Sequence, residues 1–259
     1  MRGDRRVYRS DPIQEAFCEL QFRLPMTGWA LVPGLLYDRL RDVYPAVPTQ
    51  DGPILNAGPN PLGPDGQQFQ LVIGQGIPSR IRLCNEDNTE QLLIAGNSVS
   101  INCLRPYTGW ENFRERIVRV LTTLNEIFQD GFDVQRIGVR YINKVDSPLG
   151  DVDRYFGVKP VRLSDSPLRL ANFICRSELP TIDDENTLII VTFSSAFGDK
   201  SIVLDLDAIS KNITNLTSVD DCLVLIDRLR EMERDAFEMS ITDEAREGPF
   251  GGFDVASND

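Results

Sequence analysis

Asp205 and Asp207 stand two residues apart in Leu204-Asp-Leu-Asp207, at the end of a stretch that reads as a strand. A period of two puts both carboxylates on one face. Paired carboxylates at a strand end can hold Mg²⁺ for phosphoryl transfer, with a third ligand supplied by Asp183, Asp184 or Glu185. The competing reading is a pair of solvated acids at a strand end. A second polar group is denser. Arg136, Arg140, Tyr141, Asn143 and Lys144 crowd one strand-like run, as a surface that recognises an anion would, or as one side of an ion-pair ladder with Glu15 and Glu19. Gly74-Gln75-Gly76 lacks the rest of a phosphate-binding glycine loop and reads as a bend. Ser194, Ser195 and Lys200 resemble a Ser-Lys pair only loosely, in a segment with hairpin-loop composition.

The chain has no histidine among its 259 residues. That excludes Ser-His-Asp and Cys-His nucleophile systems and every histidine-built zinc site. The five cysteines, Cys18, Cys84, Cys103, Cys175 and Cys222, contain no C-x-x-C pair and sit in apolar or alternating stretches, as buried thiols do. The net charge is −12, from 27 basic and 39 acidic residues. Such a field opposes DNA, RNA and anionic membranes, and suits a protein partner or small ligand better. No apolar run is long enough to span a bilayer or follows the basic start as a signal core, so the expected compartment is the cytoplasm.

The elements that must position these residues come in two similar series. Residues 13–24 alternate as a half-buried strand, and a helix is expected over 33–44. A Pro- and Gly-rich loop covers 45–67. Strands follow near 68–73, 80–85, 91–95 and 98–104, the last two joined at Gly96-Asn97. Thr108 and Glu111 have the spacing of a capping box for a helix over 108–128, with Phe113, Ile117, Leu121 and Leu124 on its apolar stripe. Then come a strand over 134–145, a short helical piece at 152–156, strands near 169–179, 187–194 and 201–207, and a helix over 218–239 that buries Ile226 and Leu229.

The expected fold is therefore α+β: duplicated strand–helix–antiparallel strands–helix units, spanning 1–130 and 131–247, forming a curved, mainly antiparallel sheet with the long helices on one face. Residues 248–259 read as a flexible tail. Pairing of strands 13–24 and 134–145 would join the halves, with Glu19 within reach of Arg140. The saddle of TATA-binding proteins offers an architectural analogy.

Several segments carry a likeness to a known family: Pro12-Ile-Gln-Glu-Ala-Phe-Cys-Glu, Tyr44-Pro45, Tyr107-Thr-Gly-Trp110-Glu-Asn-Phe113, Arg136-Ile-Gly-Val-Arg140-Tyr141-Ile-Asn143-Lys, Leu204-Asp-Leu-Asp207 and Phe237-Glu-Met-Ser-Ile-Thr242-Asp243. Together they resemble a sporadically distributed, uncharacterised bacterial family of about this length, and the likeness covers nearly the whole chain. The resemblance implies no activity. Its patchy distribution is compatible with accessory or mobile-element roles, including anti-phage defence. The functional expectation is a non-catalytic binding or adaptor protein acting through protein contacts, with homo-oligomerisation allowed, no nucleic acid, no membrane and no cofactor. The alternative is a Mg²⁺-dependent nucleotide or phosphate enzyme using Asp205 and Asp207.

Overall fold

The computed structural model describes residues 5–23, 28–51, 56–59, 69–72, 80–128, 131–147, 151–161, 170–196 and 201–256. The elements, in chain order, are β1 (Arg5–Tyr8), β2 (Ile13–Phe22), α1 (Val32–Arg39), β3 (Thr49–Asp51), β4 (Asn56–Pro59), β5 (Phe69–Val72), β6 (Arg80–Cys84), β7 (Glu90–Ala95), β8 (Ser98–Leu104), α2 (Trp110–Ile127), β9 (Val134–Asp146), α3 (Val152–Tyr155), β10 (Ile174–Pro180), β11 (Thr187–Ser195), β12 (Ser201–Lys211), α4 (Val219–Ser240), α5 (Asp243–Glu247) and β13 (Phe253–Ala256). Gly74-Gln75-Gly76, Lys200 and much of the 45–67 loop lie outside the described residues.

Nine strands form one antiparallel sheet in the order β10-β11-β12-β9-β2-β8-β7-β6-β3. At its centre β2 pairs with β9, as the opposite-sign side chains of the two strands lead one to expect. Outward from this pair, the neighbour on each side is the last strand of its own half, β8 or β12, and the order then runs back along the chain. This shared connectivity is a likeness of topology, not of sequence. Both halves feed one sheet and one core.

Alternation decides the faces. Ala16, Cys18, Leu20 and Phe22 of β2 and Ile137, Val139, Tyr141 and Val145 of β9 point into the core. The helices close over that face. Phe113, Ile117, Leu121 and Leu124 of α2 and Ile226 and Leu229 of α4 are all buried in the same cluster. Burial of each such side chain contributes about 2 kcal/mol. Ser218 caps α4, its side chain accepting from the Asp221 amide at 3.1 Å.

Three expectations are corrected. First, Glu19 does not face Arg140. The register sets Arg140 opposite Phe17 and Glu19 opposite Gly138, and Glu19 accepts from Arg136 instead. With Glu19 opposite Gly138, Arg136 and Arg140 are its two diagonal neighbours, and the hydrogen bond goes to Arg136. Second, Thr108 does not cap α2. The N-cap is Gly109, at φ 98°, and no side chain caps the helix. The chain enters through the positive-φ region that glycine alone adopts easily, so Thr108 falls one residue short. Third, the segment after Gly248 is not a free tail through residue 256. Gly251 and Gly252, both at positive φ, turn the chain so that β13 pairs with β1. Phe250 is fully buried against Tyr8 and Phe237. Glycine there supplies a turn rather than looseness, because flanking aromatics supply the burial.

Candidate binding cavity

The α4 sequence explains how a polar site arises beneath an apolar helix. Its buried positions are Cys222, Ile226, Leu229, Glu233, Ala236, Phe237 and Ser240. Their spacing of three and four residues is that of a core-facing stripe, and Glu233 occupies one step of it. The carboxylate is therefore carried into the interior, where it is 2% exposed. A charge there needs a partner, and Arg230, one turn earlier, donates Nη1 to it. The guanidinium carbon of Arg230 lies 4.2 Å from the Tyr141 ring centroid and 5.8 Å from that of Trp110. Both are within cation–π range.

Around this pair opens a cavity of about 490 Å³. One wall is α4, with Arg230, Glu233 and Phe237. The floor is the core face of β9, through Tyr141 and Asn143, and the far lip is β1 and the turn that follows, through Tyr8 and Asp11. The remaining wall is Tyr107 to Glu111, where the uncapped start of α2 reaches the rim. The positive end of that helix dipole favours negative charge nearby.

The polar groups fall into two sets. The Tyr107 and Tyr141 hydroxyls share a hydrogen bond of 2.8 Å, which leaves the pair one free O–H. Burial pushes Tyr107 up to about 12 and raises Tyr141 as well, so both phenols remain donors throughout the physiological range. The acceptors are largely engaged. Glu238 takes Tyr8 at 2.8 Å, Arg6 at 2.7 Å and Arg246. Asp11 takes the Ile13 amide at 2.8 Å. Burial pushes Glu233 up towards neutrality, to about 7, with Arg230 opposing.

The candidates from the sequence divide between the two faces of the sheet. Tyr141 and Asn143 point to the helices and line the cavity. Arg136, Arg140 and Lys144 alternate to the opposite face, so the five residues are not one surface. Asp205 and Asp207 share that opposite face. They sit inside β12 rather than at its end. Arg140 grips Asp205 through two hydrogen bonds of 2.6 and 2.5 Å, and its guanidinium lies over Phe17. Burial pushes Asp207 up to about 6, the nearby Arg136 and Arg140 opposing and Asp205 adding to the rise. Asp184 is occupied in its own turn, accepting from Thr187 at 2.7 Å and the Asn186 amide at 2.9 Å. Among the described residues no three His, Cys, Asp or Glu side chains are grouped to hold a metal ion. The Ser195 hydroxyl accepts from the Phe173 amide at 3.0 Å and works as a clamp between chain segments. Burial raises the thiols of Cys18, Cys103 and Cys222, which keeps them protonated and inert.

Arg230, Glu233 and the roles of Tyr107 and Trp110 are absent from the sequence reading. The signal that could have found the first two is the glutamate at a core position of the α4 stripe. No protein-family model matches the chain, and no curated protein does.

Proposed function

We propose that this chain is a binding protein without a catalytic step, and that the cavity under α4 is its recognition element. The observation that carries the reading is Arg230: a cation packed between aromatic rings, facing an aromatic-walled space, with one hydrogen bond among the described residues, to Glu233. Cavities of this size with a few convergent polar groups are ligand sites by default. Glu233 has the protonation range of a general acid, yet among the described residues no serine, cysteine or lysine lines the space to act as a nucleophile with it.

The test is a fragment screen followed by Trp110 fluorescence and protein NMR. Compounds that shift Trp110 should lose binding in Thr108→Trp, a substitution at an exposed rim position. Absence of any compound whose binding that variant blocks would overturn the reading.

A specific observation also supports association between copies of the chain. β10 is an edge strand whose outer side no described strand pairs, and Ile174 and Leu179 on it are 64% and 51% exposed. An antiparallel second copy centred on Ser177 would set Arg176 opposite the other copy's Glu178, twice over by symmetry. An adaptor working through protein contacts fits this edge. An accessory or phage-defence role belongs to this reading through the family resemblance alone.

A further inference from the structure

Among the described residues three arginines and five carboxylates line the cavity, and which of them the protein already engages defines the chemistry of what fits. Glu238, Asp11, Glu233 and Glu231 receive hydrogen bonds from the protein, and Arg6, Tyr8 and Arg234 are among the donors that supply them. Donors remain around Arg230. Among the described residues Arg230 makes one hydrogen bond, to Glu233, and the rest of its fork is unengaged. The Tyr107–Tyr141 pair holds one spare O–H, and the Trp110 indole N–H has no partner among the described residues. The α2 N-terminus adds its dipole at the rim. A ligand that satisfies these groups must bring acceptor oxygens and tolerate aromatic walls formed by Tyr8, Tyr107, Trp110, Tyr141 and Phe237.

We propose that the cavity binds a small aromatic carboxylate, its carboxylate on the free fork of Arg230 and the Tyr107–Tyr141 hydroxyls, its ring between the aromatic walls. This rests on the reading of the cavity as a ligand site. Arg230 already holds a carboxylate, that of Glu233, so the fork and its surroundings are shaped to that group. Guanidinium and carboxylate match in plane and spacing, which neither an amide nor an ammonium reproduces. A volume of about 490 Å³ accommodates a small ring system and not a folded partner.

Binding on this geometry sets two carboxylates on one cation. The second should raise the proton affinity of Glu233, so that binding takes up a proton. The other groups that face Glu233 are Arg234 on α4, Tyr141 on β9 and Tyr107 ahead of α2; Glu231 and Asp11 act on its partner Arg230. Of these, the phenols stay neutral near pH 7 and the arginines stay charged; Asp11 is held by the Ile13 amide, and Glu233 is the carboxylate hydrogen-bonded to Arg230 and so the group to respond.

Calorimetry with phenylacetate and indole-3-acetate, against phenylacetamide and phenethylamine, tests this. Repeating the titration at pH 7 in two buffers of different ionisation enthalpy counts protons. The carboxylates should bind about 10- to 100-fold more tightly than the amide, as expected for hydrogen bonds to charged groups. A fraction of one proton should be taken up. Glu233→Gln should keep the preference and abolish the uptake. Arg230→Met strands Glu233 in the core and risks misfolding, so the paired variant Arg230→Met/Glu233→Leu serves beside it. That variant should bind carboxylate and amide alike. Amide or ammonium binding as tight as carboxylate in the unmodified protein overturns the ligand class while leaving the cavity a binding site. Failure of all four probes and of the fragment screen to shift Trp110 overturns both.

Discussion

Replacing Asp207 by Asn should make the protein more stable, and more so as the pH rises. Asp207 sits on the face of β12 turned away from the helices, its carboxylate beside Gly138, while Arg136 and Arg140 hold Glu19 and Asp205. Burial pushes it from 3.8 to about 6. A folded-state value above the unfolded one means that the native state binds the proton more tightly. The stability this contributes is fully present below about pH 4 and is lost as the pH rises through about 6. A shift of about 2 units corresponds to roughly 3 kcal/mol, at about 1.4 kcal/mol per unit. Asparagine keeps the shape and cannot ionise. The stability of Asp207→Asn minus that of the unmodified protein should climb by about 1.4 kcal/mol per pH unit between pH 4 and 6 and then level off. Glu233, on the other face, also titrates upward-shifted, but it is common to both proteins and cancels in the difference. Urea denaturation in half-unit steps from about pH 4 to pH 8 measures it. A flat difference, or one that falls with pH, would show that Arg136 and Arg140 hold Asp207 as an ion pair, and the burial argument would be wrong. The same proteins answer the metal question. Stabilisation of the unmodified chain by Mg²⁺, absent from Asp207→Asn, would support Asp205 and Asp207 as a metal site.

Two further outcomes follow from the fold. Phe250→Ala should cost about 3 to 5 kcal/mol in chemical denaturation, the range for a buried aromatic, because Phe250 anchors the β1–β13 pair against Tyr8 and Phe237; a loss under about 0.5 kcal/mol would mean that the segment is the free tail its glycines suggest. Arg176→Glu should weaken self-association in sedimentation by roughly 2 kcal/mol, a factor of about 30, since it turns two cross-strand attractions into repulsions. Adding Glu178→Arg should restore it, and a second variant that associates no better than the first would sink the β10 edge as the contact.

Much of the architecture was legible because period and sign are local properties. The alternation of Cys18, Leu20 and Phe22 with Glu19 and Gln21 assigns β2 its faces, and the stripe from Phe113 to Leu124 makes α2 a core helix. Opposite charges on residues 13–24 and 134–145 were enough to pair β2 with β9. Register was not legible. Glu19 lies opposite Gly138 with Arg136 and Arg140 as its diagonal neighbours, and no residue type announces which of the two it meets. Nor was the grouping of the site. Arg136, Arg140, Tyr141, Asn143 and Lys144 are consecutive enough to look like one surface, but a strand sends alternate side chains to opposite sides, and Tyr141 finds its partners in Tyr107 and in Arg230, far along the chain. Composition alone determined what the protein lacks: imidazole, and with it the usual proton carriers of catalysis near neutral pH. Only the tertiary structure decided which charges are solvated and which are buried. Desolvation is a property of the packed surroundings, and it is desolvation that turns Glu233 and Asp207 from ordinary surface acids into groups that titrate near neutrality.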